Sequence, residues 1–212
     1  MVDSTAASPA RPACVACTPA EFTRLIAADA ALAQRWRELP RRRYAAGESL
    51  LRIGEPAAQA WLIERGLVRF YFLSEQGVER NKSFHAEAAW IGGGMPPQVT
   101  PSPYGIEAVE PVDVVELSYA ELTRCLDDFP ASQPVLMGAL AWTFARQSAR
   151  EEQLLTQDAT QRLQSFLAEQ PDIARRLPLH HVASHLGITN VALSRIRQRI
   201  GLGDGRRGRT PA

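Results

Sequence analysis

The sequence predicts an α+β chain in which a β-sandwich or barrel of short strands is followed by a long helix and a C-terminal helix-turn-helix. Three observations carry this. Between Arg41 and Leu117, short apolar runs are broken by Gly47, Gly54, Gly66, Gly77, the triplet Gly92-Gly93-Gly94 and Pro111, the rhythm of an all-β unit. After Ser118 the apolar spacing changes from two to three-and-four, which is helical. From Asp158 onward the chain holds nine arginines against four acids, a balance of +5. The 157 residues before it hold 15 basic and 19 acidic side chains, or −4. A basic end on an acidic body points either to a polyanionic partner or to a solvated basic tail.

The elements follow in order. Residues 1–19, dominated by Ala, Pro, Ser and Thr, read as a disordered tail. In "TPAEFTRLIAADAALAQRWREL", Thr18 stands as N-cap, Pro19 at N1 and Glu21 at N3, ahead of one or two short helices. Strand runs follow in "SLLRIGEP", "AWLIERG", "LVRFYFLSEQG", "RNKSFHAEAAWIGGG", "YGIEAVEP" and "VDVVELS". In the third, Val68, Phe70 and Phe72 alternate with Arg69 and Tyr71, so the first three are expected in the core and the other two outside. "SYAELTRCLDDFP" is a short helix stopped by Pro130. "SQPVLMGALAWTFARQSAREEQLLTQ" is a long one, where Leu136, Leu140, Phe144 and Leu154 form a stripe expected to face a second copy of the chain. "TQRLQSFLAEQPDIARRL" is amphipathic and broken near Pro171. With 45% hydrophobic and 22% charged residues the composition is that of a soluble globular protein. No apolar run approaches the roughly 18–20 residues that span a bilayer. "MVDSTAASPARPAC" lacks the apolar centre of a secretion signal, so a cytoplasmic location without membrane contact is expected.

The stretch "LHHVASHLGITNVALSRIRQRI" has the physics of a helix-turn-helix. Val182, Ala183 and Leu186 form one apolar face. Gly187 suits the left-handed position after a helix, and Thr189 suits the N-cap of the next. Leu193, Ile196 and Ile200 repeat at three and four, which leaves Asn190, Ser194, Arg195, Arg197, Gln198 and Arg199 outside, with no acid among them. Arginine can pair bidentately with guanine and asparagine with adenine, and the same arginines can neutralise phosphates. A helical hairpin that only closes a core, with a solvated basic face, is the alternative.

Taken together, four stretches resemble the Crp/Fnr superfamily of bacterial transcription regulators, over roughly Phe22 to Ile200: "RRRYAAGESLLRIGEPAAQAWLIERGLVRFY", "FHAEAAWIGG", "IEAVEPVDVVELSYAEL" and "DATQRLQSFL" with "VASHLGITNVALSRIRQRI". The resemblance implies a β-roll of the cyclic-nucleotide-binding jelly-roll type with flanking helices over 20–129. A dimerisation helix over 130–157 and an all-α helix-turn-helix domain over 158–212 would follow. Only twelve residues, "GLGDGRRGRTPA", follow Ile200, so the β-wing usual in the family is expected to be reduced or missing. In the family, residues matching Asn190, Val191, Ser194 and Arg195 face bases or phosphates. Thr189, Arg199 and His180, the last aimed at a phosphate, complete the expected DNA-binding set. Many members have Glu where Val191 stands; valine can touch a thymine methyl but cannot accept from cytosine.

Cyclic-nucleotide members carry a glutamate for the ribose and, some ten residues on, an arginine for the phosphate. Gly93 and Ser102 stand there in this chain, and no Lys or Arg lies between Lys82 and Arg124. The resemblance therefore implies a roll that does not take cyclic AMP or GMP. Its interior is either packed without a ligand or holds a different small molecule, lined by Trp90, Gly92, Gly93, Gly94, Ser102 and Tyr104. Cys14 and Cys17 form a CxxC pair, but three cysteines fall short of a four-ligand cluster. His85 reads as a structural histidine, and His180, His181 and His185 lack an accompanying thiol or carboxylate for a metal. No cofactor and no metal are expected, and no nucleophile–base set argues for an enzyme. The reading is a homodimeric transcription regulator whose partners are double-stranded DNA, a second copy of itself and, if the roll is hollow, a small-molecule effector. The alternative, which Val191 and the short tail motivate, is a ligand-binding or protein-interaction module whose helix-turn-helix no longer reads DNA.

Overall fold

The computed structural model describes residues 19–202. Thr18 with its expected cap, Cys14, Cys17 and most of the Gly/Arg tail lie outside them. The first helical region is two helices, α1 (Pro19–Ala28) and α2 (Ala30–Glu38). They separate at Asp29, whose extended backbone (φ −131°) ends the first turn sequence. Its carboxylate accepts from the N–H groups of Ala31 (2.8 Å) and Leu32 (3.0 Å), which satisfies two donors that α2 cannot pair internally.

Eight strands are formed among the described residues: β1 (Arg41–Tyr44), β2 (Ser49–Leu51), β3 (Gln59–Arg65), β4 (Val68–Leu73), β5 (Glu79–His85), β6 (Trp90–Gly92), β7 (Gly105–Ala108) and β8 (Val112–Ser118). They make two antiparallel four-stranded sheets, ordered β1-β8-β3-β6 and β2-β7-β4-β5. Tyr44, Trp61, Ile63, Val68, Phe70, Ile106 and Val114 pack between the sheets. Gly66, between β3 and β4, is required twice over: its φ is +104°, and a Cβ there would sit 2.5 Å from the carbonyl oxygen of Pro111.

After β8, Ser118 and Glu121 close a capping box at the start of α3 (Tyr119–Asp128). A single 3₁₀ turn leads into α4 (Gln133–Thr156), 24 residues long. A second capping box, Asp158 with Gln161, starts α5 (Ala159–Glu169). Then come α6 (Pro171–Arg176), α7 (Leu179–Leu186) and α8 (Asn190–Arg199). No helix among the described residues is long and apolar enough to cross a membrane.

The alternation expected in β4 holds for Val68 and Phe70 and fails at two positions. Phe72 is 42% exposed, whereas Arg69 is only 5% exposed. The reason is tertiary. The C-terminal helices cover the outer face of this sheet, and Arg69 is held there by Glu79 (2.6 Å), Glu107 (2.8 Å) and the side-chain oxygen of Asn81 (3.1 Å). A second core therefore crosses between the roll and the C-terminal helices. Leu67 from the β3–β4 turn and Phe84 from β5 pack with Leu163, Phe166, Leu177, Val182, Leu186, Leu193 and Ile196.

Candidate functional site

The helix-turn-helix forms as its sequence predicts. Gly187 adopts φ +73° at the end of α7, and its N–H returns to Ala183 and Ser184. The Thr189 hydroxyl accepts from the N–H of Ala192 (3.2 Å) at the start of α8. The C-terminal carbonyls of α7 are met by cations: Arg162 of α5 donates twice to Leu186 (3.2 and 3.3 Å), and Arg150 of α4 donates to His185. Burial of Leu193 and Ile196 then fixes which side of α8 faces out. Asn190, Val191, Ser194, Arg195 and Arg199 are all exposed, Val191 by 62%. Arg197 is turned back to donate to the carbonyl of Leu202 (3.2 Å), so the outward basic face rests on two arginines rather than three. His180 is exposed at the start of α7, its ring beside that of His181 (4.1 Å), in a polar recess that also holds Arg69 and Glu79.

Helix α4 has two apolar faces, and the four residues expected to meet a second copy divide between them. Leu136 and Leu140 are half-buried and line a cavity against the roll. Leu154 lines the far end of that cavity and is 52% exposed. Phe144 is 72% exposed on the other face, with Met137 (64%) and Leu155 (78%). Together with the exposed Ala141 and Ser148 these fall at four-and-three spacing, the seam of a helix pair.

The cavity has a volume of about 820 Å³ and lies between α4, the β5–β6 side of the roll, and α2 and α3. Trp90, Gly92, Gly93, Gly94 and Tyr104 line it as expected. Ser102 does not: it is buried, and its hydroxyl donates to the carbonyl of Tyr104 (2.7 Å). A Cβ on Gly93 would lie 2.1 Å from Leu51 Cδ2, so a glutamate could not stand there without displacing the wall. Three residues the sequence did not single out as ligand contacts also line the cavity, namely Lys82, His85 and Arg146. Burial, with repulsion from Arg146, pushes the Lys82 ammonium pKa down. Burial, with Arg146 and Lys82, holds His85 neutral, its pKa pushed down to about 3.

Strand β5 carries Lys82 and His85 toward the cavity and also clasps α7. The backbone N–H of Asn81 donates to the Ser184 hydroxyl (3.0 Å), and its side-chain amide donates to the carbonyl of His181 (3.0 Å). His185 sits between the rings of Phe84 (5.3 Å) and Phe166 (5.2 Å). Arg176 pairs with Glu87 (2.8 Å) and Glu110 (2.5 Å). Burial pushes the pKa of His185 down to about 3 and that of His181 down to about 4. Both are neutral when docked, whereas the unfolded chain takes up a proton near pH 6.5. Their contribution is therefore complete above pH 6.5 and is lost as pH falls from there toward 3–4. For His185 this amounts to roughly 2 kcal/mol at pH 5; for the more exposed His181 it is smaller. Glu87, held near pKa 2 chiefly by Arg176, loses its contribution only below the ordinary carboxylate range, so pH 7.5 against pH 5 isolates the histidines. Thermal melts should show a lower Tm at pH 5, and the drop should shrink in His185→Phe. Equal Tm values at the two pH values would mean that these histidines are not kept neutral.

Residues 41–129 match the family model of the cyclic nucleotide-binding domain. The fold recurs in solved structures of low identity. FixK2 from Bradyrhizobium japonicum superposes with a TM-score of 0.69 at 19% identity, over 77% of this chain and 84% of that one. The CooA mutant from Carboxydothermus hydrogenoformans gives 0.67 at 18%, over 79% and 78%. CLP of Xanthomonas campestris, a c-di-GMP-responsive global regulator, gives 0.66 at 16%, over 82% and 92%. A search of curated protein sequences returns no match. Among the described residues no group of three or more His, Cys, Asp or Glu side chains could hold a metal ion.

Proposed function

We propose that the protein is a homodimeric DNA-binding transcription regulator whose roll cavity receives a small-molecule effector other than a cyclic mononucleotide. The observation that carries the reading is the outward face of α8. Asn190, Val191, Ser194, Arg195 and Arg199 stand together in solvent, no acid lies on the helix, and neither Arg195 nor Arg199 makes an ion pair among the described residues. Such a face fits a major groove, where Asn190 and Arg195 can reach base edges and Arg199 a phosphate. The apolar seam of α4 supplies the second copy, and a two-fold dimer would present two such helices to one duplex.

The effector part rests on the wall at Gly93 and on the engaged hydroxyl of Ser102, which leave a cyclic phosphate without its usual charge partners. Fluorescence anisotropy on a random duplex tests the DNA part. Binding should weaken steeply as salt rises, with a log–log slope of about −0.9 for each phosphate neutralised. An absence of binding at low ionic strength would instead favour a module whose helix-turn-helix no longer reads DNA.

A further inference from the structure

We propose that Lys82 is a covalent anchor, its amine condensing with an apolar aldehyde that enters the cavity to form a Schiff base. The proposal rests on the reading of the cavity as the effector site and is independent of whether α8 binds DNA. The first support is composition. The chain has one lysine against 23 arginines. Arginine serves ion pairs, phosphate contacts and stacking on rings as well as lysine or better. What it cannot offer is a neutral amine, because its guanidinium stays protonated. The single departure from arginine falls in the wall of the cavity, on a half-buried side chain.

The second support is what surrounds that amine. The Lys82 nitrogen lies over the rings of Tyr104 (5.0 Å) and Phe70 (5.8 Å), and no carboxylate or hydrogen-bond acceptor meets it among the described residues. Ring faces compensate a desolvated ammonium only in part. Burial therefore biases the group toward the neutral amine, the form that attacks a carbonyl. Condensation replaces the buried charge with a neutral imine, which an apolar wall accommodates without a counter-ion.

The third support is the way the strand aims the side chain. Asn81 and Phe84 are three positions apart, yet both meet the C-terminal helices, a step that regular alternation does not give. The ladder absorbs it in a bulge: Phe70 pairs with Ser83 and Tyr71 with Asn81, so Lys82 is the extra residue. It lines the cavity together with His85, whose Nδ1 is buried without a partner while Nε2 lies 3.0 Å from the Ser83 hydroxyl. The lining is mostly apolar, and about 820 Å³ admits an organic molecule of moderate size. The reaction balances without an outside reagent. The amine nitrogen bonds to the carbonyl carbon and passes one hydrogen to the oxygen, giving a carbinolamine whose hydroxyl the unpaired His85 nitrogen can hold. That hydroxyl then leaves with the second N–H hydrogen as water, and a C=N bond remains. Occupation of Lys82 also acts one residue from Asn81, which clasps α7.

The test uses the full chain without DNA. Octanal is added at neutral pH with cyanoborohydride, which reduces an imine to a stable amine, and adducts are located by peptide mass mapping. Octanol, which has the same chain length but cannot condense, is followed by tryptophan fluorescence and probes the cavity alone. Octanal should label Lys82 roughly tenfold or more faster than the α-amino group of the chain, and octanol should slow labelling at Lys82 only. In Arg80→Lys, which adds an amine to the same strand at an exposed position, the introduced lysine should label no faster than the α-amino group. Octanol binding without faster labelling of Lys82 would overturn the proposal and leave the cavity as an effector site. Labelling of Lys82 that bound octanol does not slow, or that the introduced lysine matches, would do the same. No binding of either probe would overturn both readings.

Discussion

Phe144→Glu should convert the protein from dimer to monomer in sedimentation velocity at micromolar concentration. Phe144, Met137 and Leu155 are the most exposed apolar side chains of α4, and water-facing side chains of that size each forgo about 1.5–3 kcal/mol of burial. In a two-fold interface the loss is counted once in each protomer, so one substitution removes roughly 3–6 kcal/mol, and it adds two carboxylates to a dry seam. Leu140→Glu should behave differently. Leu140 faces the roll cavity, so its replacement should lower Tm and disturb ligand binding before it disturbs association. A Phe144→Glu protein that still sediments as a dimer would remove this face of α4 from the interface.

Arg195→Ala should weaken binding to an operator selected from a random pool by about 1–3 kcal/mol, a loss of roughly ten- to a hundredfold, with little change on unselected duplex. The side chain stands exposed on α8 next to the buried Ile196, so its direction is set by packing rather than by a partner. Arg199→Ala, one turn further on, should weaken every duplex alike and flatten the salt slope by about one unit. Equal losses on selected and random DNA for Arg195→Ala would make it a phosphate contact and leave sequence reading to Asn190, Val191 and Ser194, or to duplex shape.

The parts legible in the sequence are those written in local chemistry. Gly187 and Thr189 mark helix ends because a cap is satisfied within a few residues, and the turn glycines mark the strand breaks for the same reason. That position 93 lacks the glutamate of cyclic-nucleotide members could also be read, because a missing side chain is itself a local fact. What stayed hidden depends on partners far along the chain. Lys82 and Arg146 are 64 positions apart, and nothing near either residue announces that both face one cavity. Arg69 alternates as a solvent residue should, yet α7 and three polar neighbours bury it. Helix α4 resisted reading for a different reason: an apolar stripe names a buried face only when there is one, and α4 has two. Leu136 and Leu140 turn to the roll, while Phe144 turns away.

The core that runs from Leu67 and Phe84 into Phe166, Leu186 and Ile196 bears on how the molecule can be taken apart. A C-terminal fragment beginning at Asp158 would leave its own hydrophobic centre without the two side chains that the roll supplies, and would lose the Arg150 bond to α7 as well. Calorimetry on the intact chain should accordingly record one cooperative endotherm spanning both halves, and the excised fragment should be poorly folded. Regulation in such a chain would not swing two independent bodies on a string; it would redistribute strain inside a single folding unit.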